Sequence, residues 1–75
     1  MKKYKNYSGN SGIALYEIEK HSIRILFTHS SSIYTYSDSL ISKHHIDKMK
    51  KLAIAGKGLA TYINQHPEVR EHAIS

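Results

Sequence analysis

The sequence predicts an α+β fold, a three-stranded antiparallel meander followed by two helices packed on one face. Three observations carry this reading. Strand-forming residues cluster in three runs between Ile13 and Ser37, and only short polar connections separate them. After Ser37 the apolar spacing changes from two to three or four, the period of a helix. The whole chain has 75 residues, enough for one small core and one domain.

Residues 1–12 carry Lys2, Lys3, Lys5, Tyr4 and Tyr7, and then the turn-rich Ser8, Gly9, Asn10, Ser11 and Gly12. So little periodic apolar content reads as a flexible basic arm. The first strand is expected from Ile13 to Glu19, the second from Ile23 to Thr28 and the third from Ile33 to Ser37. The links, Glu19–Ser22 and His29–Ser32, are short enough to require antiparallel neighbours. Ser42 can cap a helix over about 43–55, in which Ile46, Met49 and Ala53 share a face that Leu52 widens, and Gly56 stops it. Leu59, Tyr62 and Ile63 begin a second, short helix that must end before Pro67. Thus 13–66 is expected to be the domain and 67–75 a polar tail. With Ala14, Tyr16, Ile18, Ile23, Ile25 and Phe27 under the helices, strict alternation leaves Ile13, Leu15, Leu26 and Ile33 on the other face. That apolar face, on a chain short of core, predicts a homo-oligomer.

Composition narrows the function. Eleven Lys and Arg against six Asp and Glu give a net charge of +5, and nine of the eleven are Lys. An anionic partner is favoured, and lysine's point charge suits phosphate better than bidentate base reading. There is no cysteine, so no disulfide, thiolate metal site or thiol nucleophile is available. No apolar run approaches the roughly 18 residues of a membrane span, and polar residues follow the basic start where a signal peptide needs an apolar stretch. The expected setting is the cytoplasm, without a membrane partner.

Two segments have the chemistry of a ligand site. Tyr34 and Tyr36, two apart in a strand, project from one face, where their rings can either stack on nucleobases or complete the core beneath the helices. In Ala55-Gly56-Lys57-Gly58-Leu59, two glycines, a lysine and a helix start can cradle a phosphate or serve as an ordinary helix junction. The spacing is not that of an ATP-binding loop. Lys43, Lys50 and Lys57 recur every seven residues with Lys48 and Lys51 nearby, a basic flank for phosphates or simply a solvated face. The six histidines show no H-x-x-x-H pair, and adjacent His44 and His45 diverge on a helix, so no metal site is expected. Nor is catalysis, since so small a chain leaves little room for a nucleophile, an ordered base and an oxyanion hole.

Ser11-Gly12-Ile13, Tyr16, Leu26-Phe27, the triplet Tyr34-Thr35-Tyr36, and Gly58 followed by Tyr62-Ile63-Asn64 resemble the KTSC domain. That family is named after the C-terminal extension of some lysyl-tRNA synthetases and has many free-standing bacterial and phage members. The likeness covers about residues 8–66 and departs from the family where Ser31 or Ser32 stands in place of a glycine and Ser39-Leu40 in place of Val-Pro. It implies RNA binding. The candidate ligand-binding residues are Tyr34, Tyr36, Lys57, Gly58, Tyr62, Asn64, Lys50 and Ser11. The expected function is non-catalytic binding of a phosphate-bearing nucleotide, as in sequestering a small soluble nucleotide signal for a phage countering host defence. The alternatives are single-stranded RNA or tRNA binding, and protein interaction through the apolar sheet face. No cofactor is expected.

Overall fold

The computed structural model describes residues 1–7, 9 and 12–74. It is a four-stranded antiparallel sheet in sequence order, β1 (Lys2–Lys3), β2 (Ile13–Ile18), β3 (Ser22–Phe27) and β4 (Ile33–Ser37), followed by α1 (Lys43–Ala55), α2 (Leu59–Gln65) and α3 (Pro67–Arg70). The meander and the two main helices are where the sequence places them. One strand and one helix are additional.

The extra strand replaces the expected arm. Lys2 pairs with Tyr16 and Lys3 with Leu15. The amide of Tyr4 then donates to the Ala14 carbonyl at 2.9 Å, and that of Tyr7 to the Gly56 carbonyl at 2.8 Å. Tyr4 itself is only 2% exposed, and its hydroxyl accepts from the Leu59 amide at 3.3 Å. The start of the chain is therefore built into the core, because one aromatic ring can be buried there with its polar end satisfied by a helix terminus. Gly56 permits this close approach. It ends α1 with φ 78°, and a Cβ there would meet Lys5 Cβ at 2.8 Å and the Tyr7 ring at 3.2 Å.

The tail is likewise structured. Pro67 opens α3, where its missing amide costs nothing, and Val69 is fully buried. Beyond it Ile74 exchanges two hydrogen bonds with Thr35, at 2.7 and 2.9 Å. This bridge covers the edge of β4 that the meander would leave open.

A register shift between Ile13 and Leu15 alters the expected faces. Ile13 pairs with Phe27 and Tyr16 with Ile25, so Ile13 and Tyr16 lie on the same side although three residues apart. Both are buried, whereas Ile18, expected in the core, is 38% exposed near the strand end. The core is thus one layer between sheet and helices: Tyr4, Ile13, Tyr16, Ile23, Ile25 and Tyr36 against Ile46, Met49, Ala53, Leu59, Ile63 and Val69, with Ile41 at the entry to α1. Ser42 caps α1 by accepting from the His44 amide. The outer face retains a row of Lys3, Leu15, Leu26 and Ile33, paired across all four strands.

Tyr4→Phe keeps the ring and removes the acceptor of a buried amide, which should cost about 1–3 kcal/mol and lower the melting temperature. Deleting residues 1–4 should cost more, because a buried aromatic goes as well. A deletion variant that melts like the parent would restore the arm interpretation.

Candidate functional site: a cleft between β4, α2 and α3

β4 presents Tyr34 and Tyr36 on the helix-facing side of the sheet, as their spacing requires: Tyr36 belongs to the core and Tyr34 packs against it. Together with Phe27, Ala60, Ile63 and Ala73 they line a cleft of about 440 Å³. His29, Ser30, Asn64 and Arg70 supply its polar groups. The composition follows from the elements: β3 and β4 give aromatic walls, α2 gives one small and one branched apolar residue, and the loop and α3 give charge at the mouth.

The two tyrosines have different roles. Tyr36 is 2% exposed and belongs to the core. Its hydroxyl has no hydrogen-bond partner among the described residues. Burial, and then the neighbouring Tyr34, push that hydroxyl up to about 12, so at ordinary pH it is a neutral donor. Tyr34 is half-buried and packs edge-on against Phe27, with ring centroids 5.6 Å apart. Asn64 and Arg70 are exposed, and among the described residues the Arg70 guanidinium makes no ion pair and the Asn64 amide no hydrogen bond. Polar groups without internal partners around an apolar cleft are what a ligand site needs.

The remaining sequence candidates are elsewhere. The cradle proposed at Lys57-Gly58 is altered by Tyr4, whose hydroxyl occupies the first amide of α2. Gly58 does hold a left-handed conformation, φ 83°, at the helix entry, and Lys57 is exposed, but neither lines the cleft. Lys50 is a clip: its ammonium donates to the carbonyls of Glu19 and Lys20, at 2.7 and 3.1 Å, tying α1 to the first hairpin turn. Tyr62 points to the other flank of α2, where its hydroxyl lies 2.7 Å from His45 Nδ1. Burial, and then Glu68, raise its hydroxyl above the ordinary range. Ser11 lies outside the described residues. Sequence reasoning missed Phe27, His29 and Arg70 as site residues. Arg70 had a signal: Pro67 followed by Glu68 is a helix start, which makes 67–70 an element and not a tail.

No protein-family model, curated protein or solved structure matches the chain. Among the described residues no helix is long and apolar enough to cross a membrane.

The raised Tyr36 value implies a pH effect. Unfolded, the hydroxyl ionises near 10; folded, near 12. The neutral buried form therefore contributes stability that is fully present below pH 10 and is lost as pH rises toward 12. In melts at about pH 9 and about pH 11, Tyr36→Phe should lose less melting temperature than the parent across that interval. Equal losses would contradict the raised, neutral Tyr36 hydroxyl.

Proposed function

We propose that this protein is a non-catalytic binding module for a nucleotide-type anion, held in the cleft between β4, α2 and α3. One observation supports it most: a mainly apolar, aromatic cleft of about 440 Å³, lined also by an exposed arginine, Arg70, that makes no ion pair among the described residues. The volume is within the range of roughly 300–1,000 Å³ usual for small-molecule sites. Tyr34 and Phe27 offer π-surfaces to a base, the Tyr36 hydroxyl and Asn64 amide offer hydrogen bonds, and the Arg70 fork suits a phosphate. The His29 imidazole at the rim offers a further N–H donor to a phosphate. The KTSC resemblance agrees in part, since Tyr34, Tyr36 and Asn64 carry it and line the cleft.

A small nucleotide suits this cleft better than a long strand does. Its charged and polar lining is confined to His29, Ser30, Asn64 and Arg70, whereas the lysines of α1 are on a different element and Lys50 is already engaged. The mode of action is occupancy: bound nucleotide is withdrawn from solution. A second proposal concerns assembly. Leu15, Leu26 and Ile33 form an adjacent apolar row on the outer sheet face, and none belongs to the core cluster or packs against it. Self-association through this row makes the protein a homo-oligomer.

Titration with a nucleoside monophosphate should show micromolar to millimolar binding that Tyr34→Ala weakens by about 1–3 kcal/mol, the worth of one base stack. Arg70→Ala should weaken it similarly, and Lys57→Ala should leave it unchanged. Between about 50 and about 200 mM salt the affinity should fall only slightly, because few phosphates are neutralised. No binding of the nucleotide, together with steep salt-dependent binding of single-stranded RNA, would replace this function with the RNA-binding one.

For assembly, Leu26→Glu should reduce the molar mass in light scattering without loss of fold. A parent that is monomeric at high micromolar concentration would contradict the homo-oligomer.

A further inference from the structure

On the flank of α2 opposite the cleft, three elements converge. His45 comes from α1, His66 from the junction of α2 and α3, and Glu68 from the first turn of α3. Each contributes one donor atom, and these atoms all lie within 4.8 Å of one another. His45 Nε2 and Glu68 Oε1 are 3.4 Å apart. That matches the separation of about 3.3 Å between ligands in tetrahedral coordination with metal–nitrogen bonds of about 2.0–2.1 Å. Both imidazoles are half-buried, and the carboxylate is exposed.

We propose that His45, His66 and Glu68 form a site for one divalent transition-metal ion of zinc's type. Their hydrogen bonds orient them for it. His66 Nδ1 lies 2.7 Å from the Tyr62 carbonyl, which can only accept, so Nδ1 carries the proton and Nε2 keeps its lone pair. His45 Nδ1 lies 2.7 Å from the Tyr62 hydroxyl, which can accept the Nδ1 proton and leave Nε2 free toward Glu68. One residue, Tyr62, thus sets both rings through its carbonyl and its hydroxyl, the outer-shell support typical of histidine ligands. Two nitrogens and one carboxylate suit zinc and its neighbours and disfavour magnesium, which requires oxygen ligands. Three protein ligands leave a fourth position for solvent. Because they come from α1, from the α2–α3 junction and from α3, binding clamps α1 to that junction, and the binding energy becomes folding energy. The site is independent of the nucleotide cleft: none of its three residues lines that cleft.

The test uses untagged protein freed of metal by a chelator. Calorimetric titration with Zn²⁺ should give one ion per chain, and Zn²⁺ but not Mg²⁺ should raise the melting temperature. His45→Ala, His66→Ala and Glu68→Gln should each weaken Zn²⁺ binding by roughly tenfold or more, whereas His44→Ala and His72→Ala, which alter histidines outside the cluster, should not. If an alanine variant does not fold, His45→Gln takes its place, and the zinc-dependent melt of the parent needs no substitution. Zn²⁺ that fails to bind, or binds equally well to the His45 and His66 variants, overturns the proposal.

Discussion

The hydrogen bond from the Leu59 amide to the Tyr4 hydroxyl connects residues 55 positions apart, at 3.3 Å, inside the core. It joins three constraints. A buried helix terminus needs an acceptor, a buried tyrosine needs a partner for its hydroxyl, and a chain of 75 residues needs every large side chain it can bury. Meeting them together draws β1 onto the sheet and places Tyr7 and Lys5 over Gly56. It also occupies one amide that a phosphate at Gly58 would have used. Whether the glycine junction can serve as a site therefore depends on how the N-terminus packs.

The same economy shapes the sheet. The bulge around Ala14 turns both Ile13 and Tyr16 inward and gives one more large residue to a single-layer core. The Ala14 carbonyl meanwhile accepts from Tyr4, so the irregularity and the added strand support each other. At the other edge the return of Ile74 to Thr35 lets α3 sit beside β4, which brings Arg70 to the cleft. Both additions to the meander are short, and the second carries the charge at the cleft mouth.

The middle of the chain was legible because its signals are local. The period-two runs, the Ser42 cap, the Ile46-Met49-Ala53 stripe and the Gly56 stop depend on neighbours in sequence, and they correspond to β2–β4 and α1 as observed. What escaped depends on long-range partners. Lys2 and Lys3 form a strand only because β2 has a free edge, and Tyr4 reads as polar until its hydroxyl meets Leu59. The same holds for the sites. The tyrosine pair followed from spacing and Asn64 from the resemblance, but Phe27, His29 and Arg70 meet them only through tertiary packing, and His45, His66 and Glu68 meet one another in the same way. A rule based on spacing within one helix has no access to ligands from separate parts of the chain.

The most direct measurement is hydrogen exchange at the Leu59 amide, resolved by NMR. If Tyr4 holds that amide in the core, it should exchange with an opening free energy near that of the buried amides of Ile23 and Ile25, and Tyr4→Phe should selectively lower its protection. Exchange of Leu59 at the rate of an open helix end in the parent protein would contradict the account, since the N-terminal segment would then leave α2 uncapped and the glycine junction open to ligand.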